Sequence, residues 1–351
     1  MHELLVYGVS SLMICFTILT FILYRVPDDI FPEEYEFQLD PFWYVISIMF
    51  LGCSVVYFIF PSMPDMIHPH HYINIAVPFI FSIILYFAYV FSEEWIANVL
   101  TFGFGLAVCY MQPADFQIFP SQLEPWQDKL AVASILFVIS KGLGLLNGLP
   151  AIASMQFSAV MISAAFLAYF GALPIMFGVI ALTLLGSMLA FGFFSWPPEK
   201  LIISHEGFSA LGFIMGCFML ASATEFADAP IGIATAYLFT EVGIAIYNRF
   251  FCGDKSEYLY MCTSYYKTSQ DERYTLGVDQ GILKILAINV VLSVLQIAAS
   301  ERLALFVFSI ALDMWLLSIL SGDTKPENVI SLTKLGKKAV KGLFSSSKKT
   351  K

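Results

Sequence analysis

Uninterrupted apolar stretches of about twenty residues recur along the whole chain, and they restrict the fold more than anything else in it. A helix rises ~1.5 Å per residue, so ~20 apolar residues match the ~30 Å hydrocarbon core of a bilayer. Eleven such stretches can be drawn, at 4–24, 42–60, 72–91, 95–112, 129–146, 151–170, 172–194, 207–223, 229–249, 281–299 and 302–320. The fourth and eighth are short, which makes the count ten or eleven. Within hydrocarbon only helices and closed barrels satisfy their own backbone, and the period-two alternation of a barrel strand is absent. The sequence therefore predicts an all-α, polytopic membrane domain over 1–324, with a cytoplasmic loop at 250–280 and a basic tail at 325–351. A hydrophobic content of 58% against 13% charged residues leaves too little polar surface for a soluble globule of 351 residues.

The net charge of -9 argues against nucleic acid as a partner. Cys15, Cys53, Cys109 and Cys217 fall inside apolar stretches, Cys252 and Cys262 lie in a loop, and no C-x-x-C occurs, so the thiols read as packing groups. The first apolar stretch begins almost at Met1 without a basic leader or cleavage motif and reads as a first span. Orientation follows from the tail "ISLTKLGKKAVKGLFSSSKKTK", which holds seven lysines and no acid and should stay cytoplasmic. With eleven spans, segments 25–41, 92–94, 147–150, 195–206 and 250–280 then share the cytoplasmic side. Segments 61–71, 113–128, 224–228 and 300–301 and the Gly171 turn face outward.

Several of the cytoplasmic segments carry chemistry. In "SWPPEKLIISHEGFSALGF", Pro197 and Pro198 end one span, and Ser204, His205 and Glu206 stand where the next begins. Backbone N–H groups at a helix start accept anions, and Gly207 would let a phosphate approach closely; the same residues also suit an ordinary helix entry. In "SKGLGLLNGLPAIAS", Asn147 sits at a tight helical join, and Lys141 either complements the helix end or meets a phosphate. "FSEEW" sets Glu93 and Glu94 side by side, an arrangement relieved by solvent or by a divalent cation. The tyrosine-rich loop 250–280 begins beside Arg249 and suits either a sugar or base ring or a headgroup belt. Asp313 lies in the middle of an apolar stretch and must face protein or a wet cavity, or stay protonated. His68, His70 and His71 fall on the opposite side and read as interfacial.

The ordered run "FSWPPEKLIISHEGFSALGFIMG" resembles a signature of the polyprenyl-phosphate sugar-1-phosphate transferases, roughly F-N-x-P-P-A-K-I-F-M-G-D-x-G-S-x-x-L-G-F. Phe194, Pro197, Pro198, Lys200, Ile202, Gly207, Leu211, Gly212 and Phe213 fit it, and Asn147, Gly148 and Leu149 fit a second signature, N-x-x-D-G-x-D/N-G-L-A. The resemblance covers about residues 129–249. It implies transfer of a sugar-1-phosphate from a UDP-sugar to a polyprenyl-phosphate carrier, for cell-envelope glycan or lipopolysaccharide synthesis, at the cytoplasmic face of a bacterial inner membrane. It further implies Mg²⁺ or Mn²⁺, a nucleotide-sugar and a membrane lipid as partners. Small-residue helix faces permit a homodimer. The catalytic set it suggests is Glu93, Glu94, Asn147, His205 and Glu206; the phosphate-binding set is Lys141, Lys200, Gly207 and Arg249; the metal set is Glu93, Glu94, Glu206 and Glu241.

The chain also departs from the family. His205 stands where an aspartate is expected, Gly144 replaces another aspartate and Lys141 an asparagine, and 250–280 holds no histidine. Histidine is a poor Mg²⁺ ligand, and losing one charge-assisted contact in a transition state costs about 3 kcal/mol. Three readings follow: a divergent transferase, a catalytically inactive relative with a binding or scaffolding role, and a small-solute transporter in which Asp313 does the work.

Overall fold

The computed structural model describes residues 4–25, 40–59, 69–112, 117–118, 123–146, 151–195, 201, 203–225, 230–251, 275–295 and 302–320. Eleven α-helices stand among them: α1 (Val9–Tyr24), entered through a π turn at Leu4–Gly8, α2 (Pro41–Ile59), α3 (Pro69–Phe91), α4 (Glu94–Met111), α5 (Pro125–Leu146), α6 (Ile152–Tyr169), α7 (Ile175–Ser195), α8 (His205–Glu225), α9 (Ala236–Phe251), entered through a 3₁₀ turn at Pro230–Thr235, α10 (Thr275–Leu295) and α11 (Arg302–Leu320). No strand occurs among the described residues. A helix stands at each apolar stretch read from the sequence. α10 begins at Thr275, earlier than the end assigned to the loop 250–280. Among the described residues, six helical segments are long and apolar enough to cross a membrane: Val6–Tyr24, Glu94–Met111, Pro125–Leu146, Ile152–Tyr169, Ile175–Ser195 and His205–Ala223. By length and composition this is a multi-pass membrane protein. The described apolar parts of α2, α3, α10 and α11 are shorter.

The helix ends are set by local chemistry. Asp40 precedes Pro41 and its Oδ1 accepts the Phe42 N–H at 2.9 Å, an N-cap with proline in the first turn. Ser204 caps α8 in the same way, its Oγ accepting the Gly207 N–H at 3.0 Å. At the end of α6 the backbone turns left-handed at Gly171, φ 78°. There the Ala172 N–H reaches back to the Leu167 carbonyl at 2.8 Å and Gly171 N–H to Ala168 at 3.2 Å, the Schellman closure that favours glycine.

Small residues set how the helices pack. α7 and α8 are the most enclosed of the six long segments, and α1 and α4 the least. α1 lies on α7, where a Cβ on Gly186 would stand 2.4 Å from the Leu12 carbonyl oxygen, so glycine lets the backbones touch. Apolar side chains such as Ile14, Phe21, Phe50, Val99, Phe193 and Val307 remain on the outside, as a surface facing lipid requires. Cys15, Cys53, Cys109 and Cys217 are free and buried among packed side chains.

Candidate functional site

The best-defined polar cluster lies where the end of α5 meets the starts of α2, α4 and α8. α5 and α8 run antiparallel through one another's small residues. The Ser140 hydroxyl donates to the Ser209 carbonyl at 2.7 Å. A Cβ on Gly212 would stand 2.9 Å from Ser140 Cα, and one on Gly144 would stand 2.1 Å from Ser209 Oγ and 3.0 Å from the His205 carbonyl oxygen. His205, at the exposed start of α8, brings Nδ1 to 2.7 Å from the Gly144 carbonyl, which leaves that nitrogen the proton-bearing one. Gly144 is therefore a contact residue: its missing side chain is what lets α8 reach α5. The aspartate expected there by family resemblance has no room unless the two helices separate.

Lys141 lies one turn before Gly144 in α5. Its ammonium stands 3.4 Å from Glu94 Oε1 at the start of α4, and 4.3 Å from the ring centroid of Tyr89 in α3. The lysine side chain is 19% exposed and the glutamate 77%, so water screens the pair from one side. Tyr89 is fixed by a 2.7 Å hydrogen bond between its hydroxyl and Thr101 of α4. Glu93 turns aside and accepts the Trp95 indole N–H at 2.5 Å. Glu206 and Glu94 both lie within Coulombic range of Lys141 and of His205.

Asp40 joins this cluster and carries more of it than its place in the sequence suggested. Besides capping α2, it offers Oδ2 to the Tyr86 hydroxyl and to the Ser204 N–H, each at 3.3 Å. Tyr86 stacks on Phe42, ring centroids 4.4 Å apart. One carboxylate thus ties the starts of α2 and α8 to α3. Its signal was present as an Asp-Pro pair directly before an apolar stretch, which the acidity of 25–41 obscured. Two of the backbone donors read as an anion cradle at the entry to α8 are engaged, Ser204 N–H by Asp40 and Gly207 N–H by Ser204. Gly207 faces protein: a Cβ there would stand 2.5 Å from Ile203 Cγ2 and 3.0 Å from Phe42 Cβ.

The remaining sequence-derived residues divide three ways. Arg249 lies in the last turn of α9, one turn beyond Ala245, which packs with Leu145 of α5, so it is at the same end of the bundle. Glu241 lies elsewhere: it is fully buried in α9, where its Oε1 accepts the Tyr237 hydroxyl at 3.3 Å, and its charge reaches Asp313. Asn147, Lys200, Pro197, Pro198, His68, most of the loop 250–280 and the tail 325–351 lie outside the described residues, and the side chains of His70 and His71 do too. Among the described residues no three His, Cys, Asp or Glu side chains are gathered as a metal-binding set. Glu93 is held by Trp95, Glu94 by Lys141, and Glu241 belongs to a different part of the bundle. The four acids taken together from the sequence are thus not gathered into one set among the described residues. No protein-family profile matches the chain, and no curated protein matches it either.

Proposed function

We propose that the chain is a divergent, catalytically silent relative of the polyprenyl-phosphate sugar-1-phosphate transferases, an eleven-span protein of a bacterial inner membrane that binds the phosphate head of a membrane lipid on its cytoplasmic face. The observation that carries this reading is Gly144 pressed against Ser209 and His205 at the α5–α8 contact. The family's reaction needs charged groups that hold a metal and a pyrophosphate while a lipid phosphate attacks in line. In this chain the corresponding place is filled by helix packing. What remains is a cation, Lys141, beside a screened partner, Glu94, at the level where an α5 end would meet lipid headgroups. A phosphate monoester arriving there exchanges with Glu94 for the ammonium, a swap between two anions that favours the more highly charged one.

One observation favours the active alternative, transfer from a UDP-sugar with Mg²⁺ or Mn²⁺: Asp40 adds a carboxylate at the same end as Glu93, Glu94 and Glu206. The two readings separate in one assay. Purified chain is given polyprenyl phosphate, UDP-sugars and Mg²⁺, and both lipid binding and UMP release are followed. The silent reading expects saturable lipid binding, lost in Lys141→Ala, and no UMP above a protein-free control. UMP release that falls with Asp40→Asn or Glu206→Gln would establish the transferase instead. Absence of lipid binding would end both.

A further inference from the structure

A second polar seam crosses the interior between α10 and α11. Asn289 Nδ2 donates to Asp313 Oδ2 at 3.1 Å, and both residues are 0% exposed. The two sister oxygens, Asn289 Oδ1 and Asp313 Oδ1, are shielded from solvent and have no hydrogen-bond partner among the described residues. The two bare acceptors belong to side chains that are bonded to each other, so both lie in the same part of the interior. One helical turn away on either helix, Ser293 and Ser309 are also fully buried. Each donates its hydroxyl proton to a carbonyl of its own helix at 2.8 Å, which leaves oxygen lone pairs unused. Consecutive antiparallel helices that meet at Asn289 and Asp313 bring Ser293 and Ser309 to one level as well.

The unpartnered side-chain oxygens of this seam are both acceptors, the amide of Asn289 keeps one further N–H, and no cationic side chain among the described residues bonds to either oxygen. Each of these buried acceptors has lost its water without gaining a donor, which costs free energy. Such an arrangement persists when a positive charge lies between them, and ionisable groups at membrane depth mark ion pathways for this reason. Hard oxygen ligands with a single carboxylate match a monovalent ion better than Mg²⁺ or Ca²⁺, which take several carboxylates or keep their waters. Glu241 is the other acid whose charge reaches Asp313, and its Oε1 accepts from Tyr237.

We propose that Asp313, Asn289, Ser293 and Ser309 form a dehydrated binding site for one monovalent metal cation, of the Na⁺ class, in the interior of the helix bundle. The bound ion supplies the positive charge that joins α10 to α11. This site is separate from the Lys141 cluster and does not depend on the function proposed for it.

The test uses the full chain in detergent. Binding of ²²Na⁺ is measured at equilibrium, and the unfolding midpoint is compared in NaCl and in choline chloride at equal ionic strength. Saturable binding of one ion per chain is expected, with a midpoint that rises with Na⁺ but not with choline. Asp313→Asn should weaken binding at least about tenfold, as loss of a charge-assisted contact implies. Ser309→Ala should weaken it to a smaller degree, and Ser134→Ala, on the exposed side of α5, should leave it unchanged. No saturable ²²Na⁺ binding by the folded wild type would overturn the proposal and leave a protonated carboxyl or a trapped water at the seam. Equal binding by Asp313→Asn would overturn it too. Where Asp313→Asn does not fold, the wild-type isotherm and Ser309→Ala decide the matter.

Discussion

Replacing Gly144 by alanine puts one methyl group into the α5–α8 contact. The new Cβ would lie 2.1 Å from Ser209 Oγ, 3.0 Å from the His205 carbonyl oxygen and 3.1 Å from His205 Cε1. The Ser209 hydroxyl is buried without a hydrogen-bond partner among the described residues, so it can rotate aside with none of those bonds lost. The His205 carbonyl is backbone and yields only if α8 moves. Overpacking of this kind costs about 1–3 kcal/mol. Alanine returns at most ~1 kcal/mol of helix propensity, less in the last turn of α5. With about 0.5 kcal/mol returned, the net loss is about 0.5–2.5 kcal/mol, roughly a two- to seventy-fold drop in the folded-to-unfolded ratio. It can be read by reversible unfolding in mixed detergent micelles. Ser209→Ala removes the nearest atom, so the double variant should recover part of the loss, with a coupling of at least ~0.5 kcal/mol. Gly144→Asp should cost more than alanine, because it adds a buried charge to the same clash. A neutral or stabilising Gly144→Ala, or no coupling to Ser209, would refute the contact and with it the reason for the missing aspartate.

Further outcomes follow from the same geometry. Asp40→Ala should destabilise the bundle by about 0.5–2 kcal/mol through loss of a helix cap, and somewhat more through Tyr86 and Ser204, while Asp40→Asn should retain much of the cap. Glu94→Gln should strengthen binding of polyprenyl-phosphate vesicles by up to about fivefold, since an exposed ion pair holds Lys141 by only ~0–1 kcal/mol. Lys141→Ala should weaken that binding by about tenfold or more, and ultracentrifugal co-sedimentation measures both. In a cysteine-free background, single cysteines at Glu93 and His205 should react with a membrane-impermeant maleimide from one side of a sealed vesicle and one at Phe170 from the other. Labelling of Glu93 and His205 positions from opposite sides would dismantle the cluster.

The helices were legible because apolar length is a strong signal: the stretch 302–320 is α11 to the residue, and 95–112 differs from α4 by one residue at each end. The convergence of the α4, α5 and α8 ends on one side was also readable, from alternation of spans and the polar segments between them. The roles of individual residues were less so. Gly207 and Gly144 look the same in sequence whether a ligand or a neighbouring helix needs the space, and only the partners Phe42, Ser209 and His205 settle which. Position along α9 does not reveal which face meets which neighbour, so the sequence alone does not separate Glu241 from the acids near Lys141. Asp40 ends an acidic run that reads as solvated loop, although Asp-Pro before an apolar stretch is a helix-start signal. Asp313 stands out in the sequence as an ionisable group inside an apolar stretch, and it is buried in α11, but its partner Asn289, twenty-four positions away, has no mark of its own.

The account turns on whether the Lys141 end of the bundle binds a lipid phosphate without turning it over. A single titration settles this directly: purified chain, polyprenyl phosphate and UDP-sugar with Mg²⁺, with bound lipid and released UMP read from the same samples. Saturable lipid binding that requires Lys141, with UMP at the level of the protein-free control, is the expected result. Sustained UMP release that disappears in Glu206→Gln would contradict it.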